Sequence, residues 1–323
     1  MDLEIDIEYL LKKYLKKFTS LRRDNKNGGA PHKPILLLSV IEVFEDNLFD
    51  TNQVFIIPEL VANFKRIWTQ LVDTRHHSIF ALPFYHMKSE GFWKLIPNLG
   101  FEKLLASRAT LKSSFNTLKA SIYCAEIDYE LFTLLQHEKK RRLLKIALLE
   151  TYFPNTKVLY KKEHSDDTSF LFKDDKNYFK EIAHLKETLD SNNFEEDIFV
   201  RSGIFKREIP KIYGYSCAIS EMKVDAMVNA NLVDACHIVP FSLSHDDTVG
   251  NGITLCPNLH RAFDRGLIFI NEKYKVELNS NFVENENSAY NLKQFEGKKI
   301  KLPENPKYYP KPENFLKHKK RFA

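Results

Sequence analysis

The chain has 323 residues, 43% hydrophobic and 28% charged, with a formal net charge of +5 and a pI near 8.7. This length favours two domains that each bury a core, and the charge excess suits local phosphate contact rather than a supercharged tail. The charged, periodic start MDLEIDIEYLLKKYLKK is unlike a signal peptide, and no apolar run approaches the ~20 residues that span a bilayer, so a soluble, cytoplasmic protein with no membrane partner is expected.

From Ile5 to Phe18 apolar residues recur at helical spacing, with lysines on the other face. The segment RRDNKNGGAPHKP breaks that helix, because Gly28 and Gly29 loosen the backbone while Pro31 and Pro34 restrict it. ILLLSVIEVFEDN predicts a second helix with Pro34 in its first turn, and a third covers Ile57–Leu71. SIFALPFYHMKSEGFWKLIP, aromatic and interrupted by Pro83 and Gly91, reads as strand and loop. Helices return over Phe101–Leu118 and Tyr129–Tyr152. From 161 to 197 acids crowd the chain (Asp166, Asp167, Asp174, Asp175, Asp190, Glu195, Glu196, Asp197), which marks a polar linker between domains at 1–160 and 198–323.

The C-terminal part holds VDACHIVPFSLSHDDTVGNGITLCPNLHRAFDRGLIFI. His237 lies on a strand ended by Pro240, Asn251 follows fourteen residues later, and His260 nine after that. Pro257 opens a helix on which His260 and Asp264, four apart, share a face. Phosphodiester hydrolysis needs a base for the attacking water and a cation for charge on the leaving oxygen. A neutral imidazole serves the first need and a metal held by an imidazole and a carboxylate the second. Taken singly, a strand histidine or a His-x-x-x-Asp pair is an ordinary packed or solvated residue. Four residues at these offsets are not. His245, Asp246 and Asp247 read as a solvated loop. Cys124, Cys217, Cys236 and Cys256 form no CxxC pair and read as reduced thiols, with a zinc site at the last three the weaker alternative.

The string DACHIVPF…NGITLCPNLHRAFDRGL resembles the HNH endonuclease motif of the ββα-metal fold, and is closest to McrA-type, modification-dependent restriction enzymes. That resemblance implies His237 as general base, Asn251 as the residue that holds the loop, His260 as a catalytic metal ligand, and Asp264 as a second ligand. The cofactor it implies is a divalent ion, Mg2+ or Mn2+. Many such enzymes have Asp or His before the base, where this chain has Cys236, a poor ligand for magnesium. Asp234 is the weaker ligand candidate, since its side chain points away from the face of His237.

RRDNKNGGAPHKPILLLS and FALPFYHMKSEGFWKL resemble the sulfur-binding domain of enzymes that recognise phosphorothioated DNA, over roughly residues 8–155. Sulfur in place of a phosphate oxygen is larger, softer and less hydrated, so it calls for an apolar cup ringed by cations. Leu82, Pro83 and Phe84 or Tyr85 would form the cup; His32, Lys33 and Arg22 or Arg23 the cations, with His86 and Lys88 secondary. The plain alternative for PHKP is a helix start with solvated charges. The basic runs HEKKRRLLK and KYYPKPENFLKHKKRFA are solvated faces or added phosphate contacts. The expectation is therefore an α+β chain: an α-rich recognition domain and a ββα-metal nuclease domain that cuts phosphorothioated double-stranded DNA, with a homodimer left open. The rival readings are an HNH nuclease for methylated or unmodified DNA and a non-catalytic DNA-binding protein.

Overall fold

The computed structural model describes residues 7–25, 28–103, 114–162, 168–224, 231–285, 288 and 290–322. The fold is α+β. It divides into two compact units, Met1–Ser165 with Lys186–Val200 and Asp166–Leu185 with Arg201–Ala323. Among the described residues no helix is long and apolar enough to cross a membrane.

In the first unit, α1 (Ile7–Thr19), α2 (His32–Glu45), α3 (Pro58–Leu71), α4 (Ala81–His86), α5 (Phe115–Ser121), α6 (Tyr129–Gln136) and α7 (Glu138–Tyr152) accompany a three-stranded antiparallel sheet of order β1-β3-β2. The strands are β1 (Gln53–Val54), β2 (Trp93–Pro97) and β3 (Ile122–Ile127). Every residue of α2 from Lys33 to Phe44 is buried, as expected of a helix apolar on all sides. Its one buried carboxylate, Glu42, is met by Arg66 and by the Tyr160 hydroxyl at 2.6 Å.

Three expectations change here. The segment around Pro83 is helical, not strand and loop: Pro83 sits in the first turn of α4, where a missing N–H costs nothing, and Phe80 and Phe84 anchor that turn in the core. The helix expected over Tyr129–Tyr152 is two, parted at His137, whose backbone is extended. Most of the helix expected over Phe101–Leu118 lies outside the described residues, as do Ile5, Asp166 and Asp167; only α5 is seen, with Ser114 Oγ accepting from Thr117 N–H at its start.

The third change concerns the polar segment at 161–197, which is not a linker. It carries α8 (Asp175–Thr188) and most of the first half of α9 (Ser191–Ile212), and the two units take separate parts of it. Asp174 and Asp190 each accept the backbone N–H three residues on, at 3.0 Å, so these acids are helix caps. Phe170, Leu171, Tyr178 and Ile182 bury themselves among the acids.

The second unit adds β4 (Asp234–His237) antiparallel to β5 (Gly252–Leu255), the single turn α10 (Phe241–Ser244), and α11 (Pro257–Asp264). A hairpin of β6 (Ile268–Ile270) and β7 (Val276–Leu278) and the terminal helix α12 (Pro312–Lys320) complete it. The basic tail is largely structural: Lys311 pairs with Asp175 and Lys319 with Glu277, while Phe315 and His318 are buried. His318 stacks on Phe263 of α11 with centroids 3.8 Å apart and donates Nε2–H to the Phe263 carbonyl. In the other basic run, Lys140 pairs with Glu8 and Lys145 with Glu45.

Glu196 of α9 is fully buried in the first unit; Oε1 accepts the Phe80 N–H at 2.9 Å and Oε2 has no partner. Burial pushes its pKa up to about 7. The folded protein then holds a proton that the unfolded chain releases near 4.5, so this stabilisation is complete below that pH and is lost as pH rises through about 7. Glu196→Gln should flatten that loss, raising the melting temperature at pH 8 while changing it little at pH 4. Equal shifts at both pH values in thermal unfolding would contradict this.

Candidate functional site

β4 and β5 pair His237 with Gly252 and Cys236 with Ile253, and α11 follows directly, giving the strand–loop–strand–helix order read from the motif. Gly252 is required by close packing: a Cβ there would lie 2.5 Å from Ile209 Cδ1 and 3.1 Å from the Phe205 ring, both on α9. Phe205 also stacks on the His237 imidazole, centroids 4.0 Å apart and nearly parallel.

Between the strands, Asn251 is fully buried and all its polar atoms are engaged. Oδ1 accepts from Val239 N–H at 2.9 Å, and Nδ2 donates to the Val239 and Asp246 carbonyls, each at 2.9 Å. The loop thus folds back on the end of β4. It brings in a residue that sequence reasoning missed. Asp247, expected to be solvated, is fully buried, and its Oδ1 lies 2.7 Å from His237 Nε2. A carboxylate partner fixes the hydrogen on Nε2 and leaves Nδ1 with the lone pair. Tyr178 of α8 supplies the next contact, its hydroxyl accepting the Asp247 N–H at 3.1 Å, and burial raises the pKa of that phenol. Asp246 is buried too; desolvation raises its pKa, and it accepts from Thr248 N–H. His245 alone of the three is exposed.

On the other side of β4, His260 Nε2 lies 3.4 Å from Asp264 Oδ2 and Nδ1 lies 3.4 Å from Asp234 Oδ2. Asp234 does point away from His237, and it meets His260 instead, the kind of carboxylate contact that aims a ligating imidazole. Cys236, fully buried, brings its thiol toward the same place; Cys236, His260 and Asp264 can offer one donor atom each within 4.8 Å of one another, the one such group among the described residues. Burial, then the charges of Asp264 and Asp234, hold that thiol's pKa well above its usual range. The zinc alternative does not assemble: Cys217 and Cys256 contact each other, whereas Cys236 sits with His260 and Asp264.

Residues 217–271 match the HNH endonuclease family model. The second unit contains an HNH domain. No curated protein matches the chain. Among solved structures, a modification-dependent TagI restriction endonuclease is similar at 20% identity, with a TM-score of 0.30; the match spans 38% of this chain and 38% of that one.

The first unit holds a cavity of about 560 Å³ lined by Arg22, Arg23, His32, Lys33, Leu82, Pro83 and His86, together with Asp24, Ala30, His76 and Ser89. Tyr85 does not line it; that ring is buried, with the Lys88 ammonium 3.9 Å from its centroid. Three of the expected cations are committed elsewhere. Lys33 is buried, pairs with Glu90, and donates to the Arg22 carbonyl and Ser89 Oγ at 2.8 Å each. His32 donates Nε2–H to the His77 carbonyl at 2.9 Å, and burial pushes its pKa down to about 4, so it is neutral near pH 7. Arg23 lies over the Tyr152 ring at 4.3 Å, its pKa lowered by burial. Arg22 and His86 remain at the exposed rim.

Lys33→Ala should therefore act on stability first. It leaves Glu90, whose side chain is 6% exposed, without its cation, at a cost of about 3–5 kcal/mol for a broken buried pair. Urea unfolding tests this; a loss below ~1 kcal/mol, the range of exposed pairs, would return Lys33 to the list of free cations.

Proposed function

We propose that the chain is a divalent-metal-dependent endonuclease that hydrolyses phosphodiester bonds in DNA and selects phosphorothioated duplexes. The observation that carries the nuclease reading is the His237–Asp247 contact beside a separate His260–Asp264 pair, within an HNH domain. Asp247 holds the His237 ring with Nε2–H toward itself, so Nδ1 takes the proton of the attacking water. Phe205 limits the ring's swing, and Asn251 fixes the loop that delivers Asp247. Asp234 keeps the hydrogen of His260 on Nδ1, which leaves Nε2 to face an ion together with Asp264. When bound there, a divalent cation supplies electrostatic stabilisation of the phosphate and the leaving oxygen. The donor set fits such an ion.

His237→Ala should lower plasmid cleavage by ~10²–10⁴-fold, the usual worth of a general base, while duplex binding is retained. Asp247→Ala should lower the rate by a smaller factor at unchanged DNA affinity. Wild-type rates in His237→Ala, measured in the same metal-containing assay, would overturn the assignment.

The cavity supports the choice of mark. Pro83 and Leu82 line it, and of its cations His32 is neutral near pH 7, Lys33 is paired and Arg23 is stacked, so an entering anion meets less available positive charge than the sequence suggests. A well-hydrated phosphate oxygen loses water there without recompense, whereas a weakly hydrated sulfur loses little. An unpartnered buried polar group costs ~1–3 kcal/mol, which corresponds to roughly ten- to hundred-fold in affinity. Full-length His237→Ala should bind a phosphorothioated duplex that much more tightly than the unmodified sequence. Adding Pro83→Ser should erode the difference. Equal affinities, or a preference for a methylated duplex in the same titration, would replace the sulfur reading and leave the nuclease reading standing.

A further inference from the structure

We propose that this domain's metal centre takes the Cys236 thiolate as a ligand beside His260 and Asp264, and so selects a first-row transition ion (Co2+, Ni2+ or Zn2+, and to a lesser degree Mn2+) over Mg2+. The proposal rests on the metal site of the nuclease reading and names the class of ion it takes.

Cys236 is the last residue of β4 before His237, and alternation along the strand turns its thiol toward α11. Its Sγ lies 4.0 Å from Asp264 Oδ1, and Asp264 Oδ2 lies 3.4 Å from His260 Nε2. With one donor atom from each residue, the three lie within 4.8 Å of one another. Metal–sulfur bonds of ~2.3 Å and metal–nitrogen bonds of ~2.0 Å put neighbouring tetrahedral donors ~3.3–3.7 Å apart, so side-chain adjustments of roughly 1 Å seat an ion among the three. The thiol has no solvent and no strong acceptor to turn to: Cys236 is fully buried, and its other contact is the His237 carbonyl at 3.6 Å. On binding, the S–H bond breaks, its proton leaves to solvent, and sulfur donates a lone pair to the ion. Oxidation state is unchanged throughout.

The consequence for metal choice follows from ligand hardness. Mg2+ demands near-octahedral oxygen at short distance and keeps several waters, and a buried sulfur occupies one of its positions without satisfying it. Imidazole and thiolate suit the later first-row ions, whose affinities rise from Mn2+ through Co2+ to Ni2+. The Asp264 side chain is 54% exposed and that of His260 26%, so the remaining positions stay open to water and phosphate on the Asp264 side.

The test uses the full chain loaded with Co2+. A near-ultraviolet thiolate-to-cobalt charge-transfer band is expected in the wild type. It should vanish in Cys236→Ser, whose half-saturating Co2+ should rise about tenfold or more, by the scale seen when a metal's surroundings are altered. Cys217→Ser and Cys256→Ser should keep the band. In plasmid cleavage, the ratio of half-activating Mg2+ to half-activating Mn2+ should fall in Cys236→Ser. If that variant does not fold, wild-type cobalt spectra and Cys236→Ala decide in its place. Bound cobalt without the charge-transfer band, no cobalt binding, or a band lost with Cys217 or Cys256 instead would overturn the proposal. A Cys236-dependent band in a protein that cuts no DNA supports the ligand and sinks the nuclease reading alone. Mg2+-driven cleavage unaffected by Cys236→Ser, with no band, does the reverse.

Discussion

A carboxamide buried without solvent must find partners for its oxygen and for both hydrogens, and Asn251 does so by joining the two ends of its own loop. Val239, just beyond β4, gives it an N–H and a carbonyl; Asp246, on the returning side, gives the second carbonyl. Once those bonds form, the loop has one way to close, and Asp247 arrives at His237. The residue before Asn251 is braced from outside, since Lys311 N–H and Asn314 Nδ2 both donate to the Gly250 carbonyl. A buried polar network of this kind stiffens a site when complete and weakens it when one partner is lost. Its tolerance for change should therefore be low at Asn251 and lower than that of the apolar residues around it.

The imidazoles of His237 and His260 have carboxylate partners of opposite character. Asp247 is wholly buried, whereas the side chains of Asp234 and Asp264 are each 54% exposed. A contact in a dry site is strong and keeps one geometry. Exposed contacts at 3.4 Å are weak enough to yield a carboxylate oxygen to an incoming cation. The proposed proton transfer and metal holding would call for different burial, and the strand supplies both by alternation: His237 faces the dry loop while Cys236, one residue earlier, faces α11. On the proposed reading this separation keeps the base from competing for the ion.

Much of this was legible in the chain. Offsets between His237, Asn251, His260 and Asp264 placed a strand, a loop and a helix correctly, because strand alternation and i,i+4 spacing are local rules. Asp247 was not legible. A loop acid next to a histidine and a second acid has the look of solvent exposure, and only the Asn251 closure and Tyr178, 69 residues away, bury it. The acids at 174 and 190 were misleading for a related reason: capping and linking use the same residues, and the difference lies in whether apolar neighbours such as Tyr178 and Ile182 find a core. His32 and Lys33 belong to the same class, since their partners, His77 and Glu90, come from distant parts of the chain.

That last pair changes how the cavity of the first unit is understood. A surface built to hold any phosphate keeps its cations exposed, gains affinity from counterion release, and discriminates little between anions. Here Lys33 neutralises Glu90, His32 is uncharged near pH 7, and Arg23 is laid on Tyr152, so the wall offers shape and a few oriented donors more than net charge. Such a wall gives up affinity for the common backbone. On the proposed sulfur reading, it makes the cost of stripping water from an oxygen the dominant difference between a marked and an unmarked strand. Pro83 fits that logic, because a ring with no N–H at the first turn of α4 cannot hydrogen-bond the oxygen it would have to tolerate. On that reading selectivity comes from what the cavity withholds, and the backbone on either side would meet Arg22 and His86 at the rim.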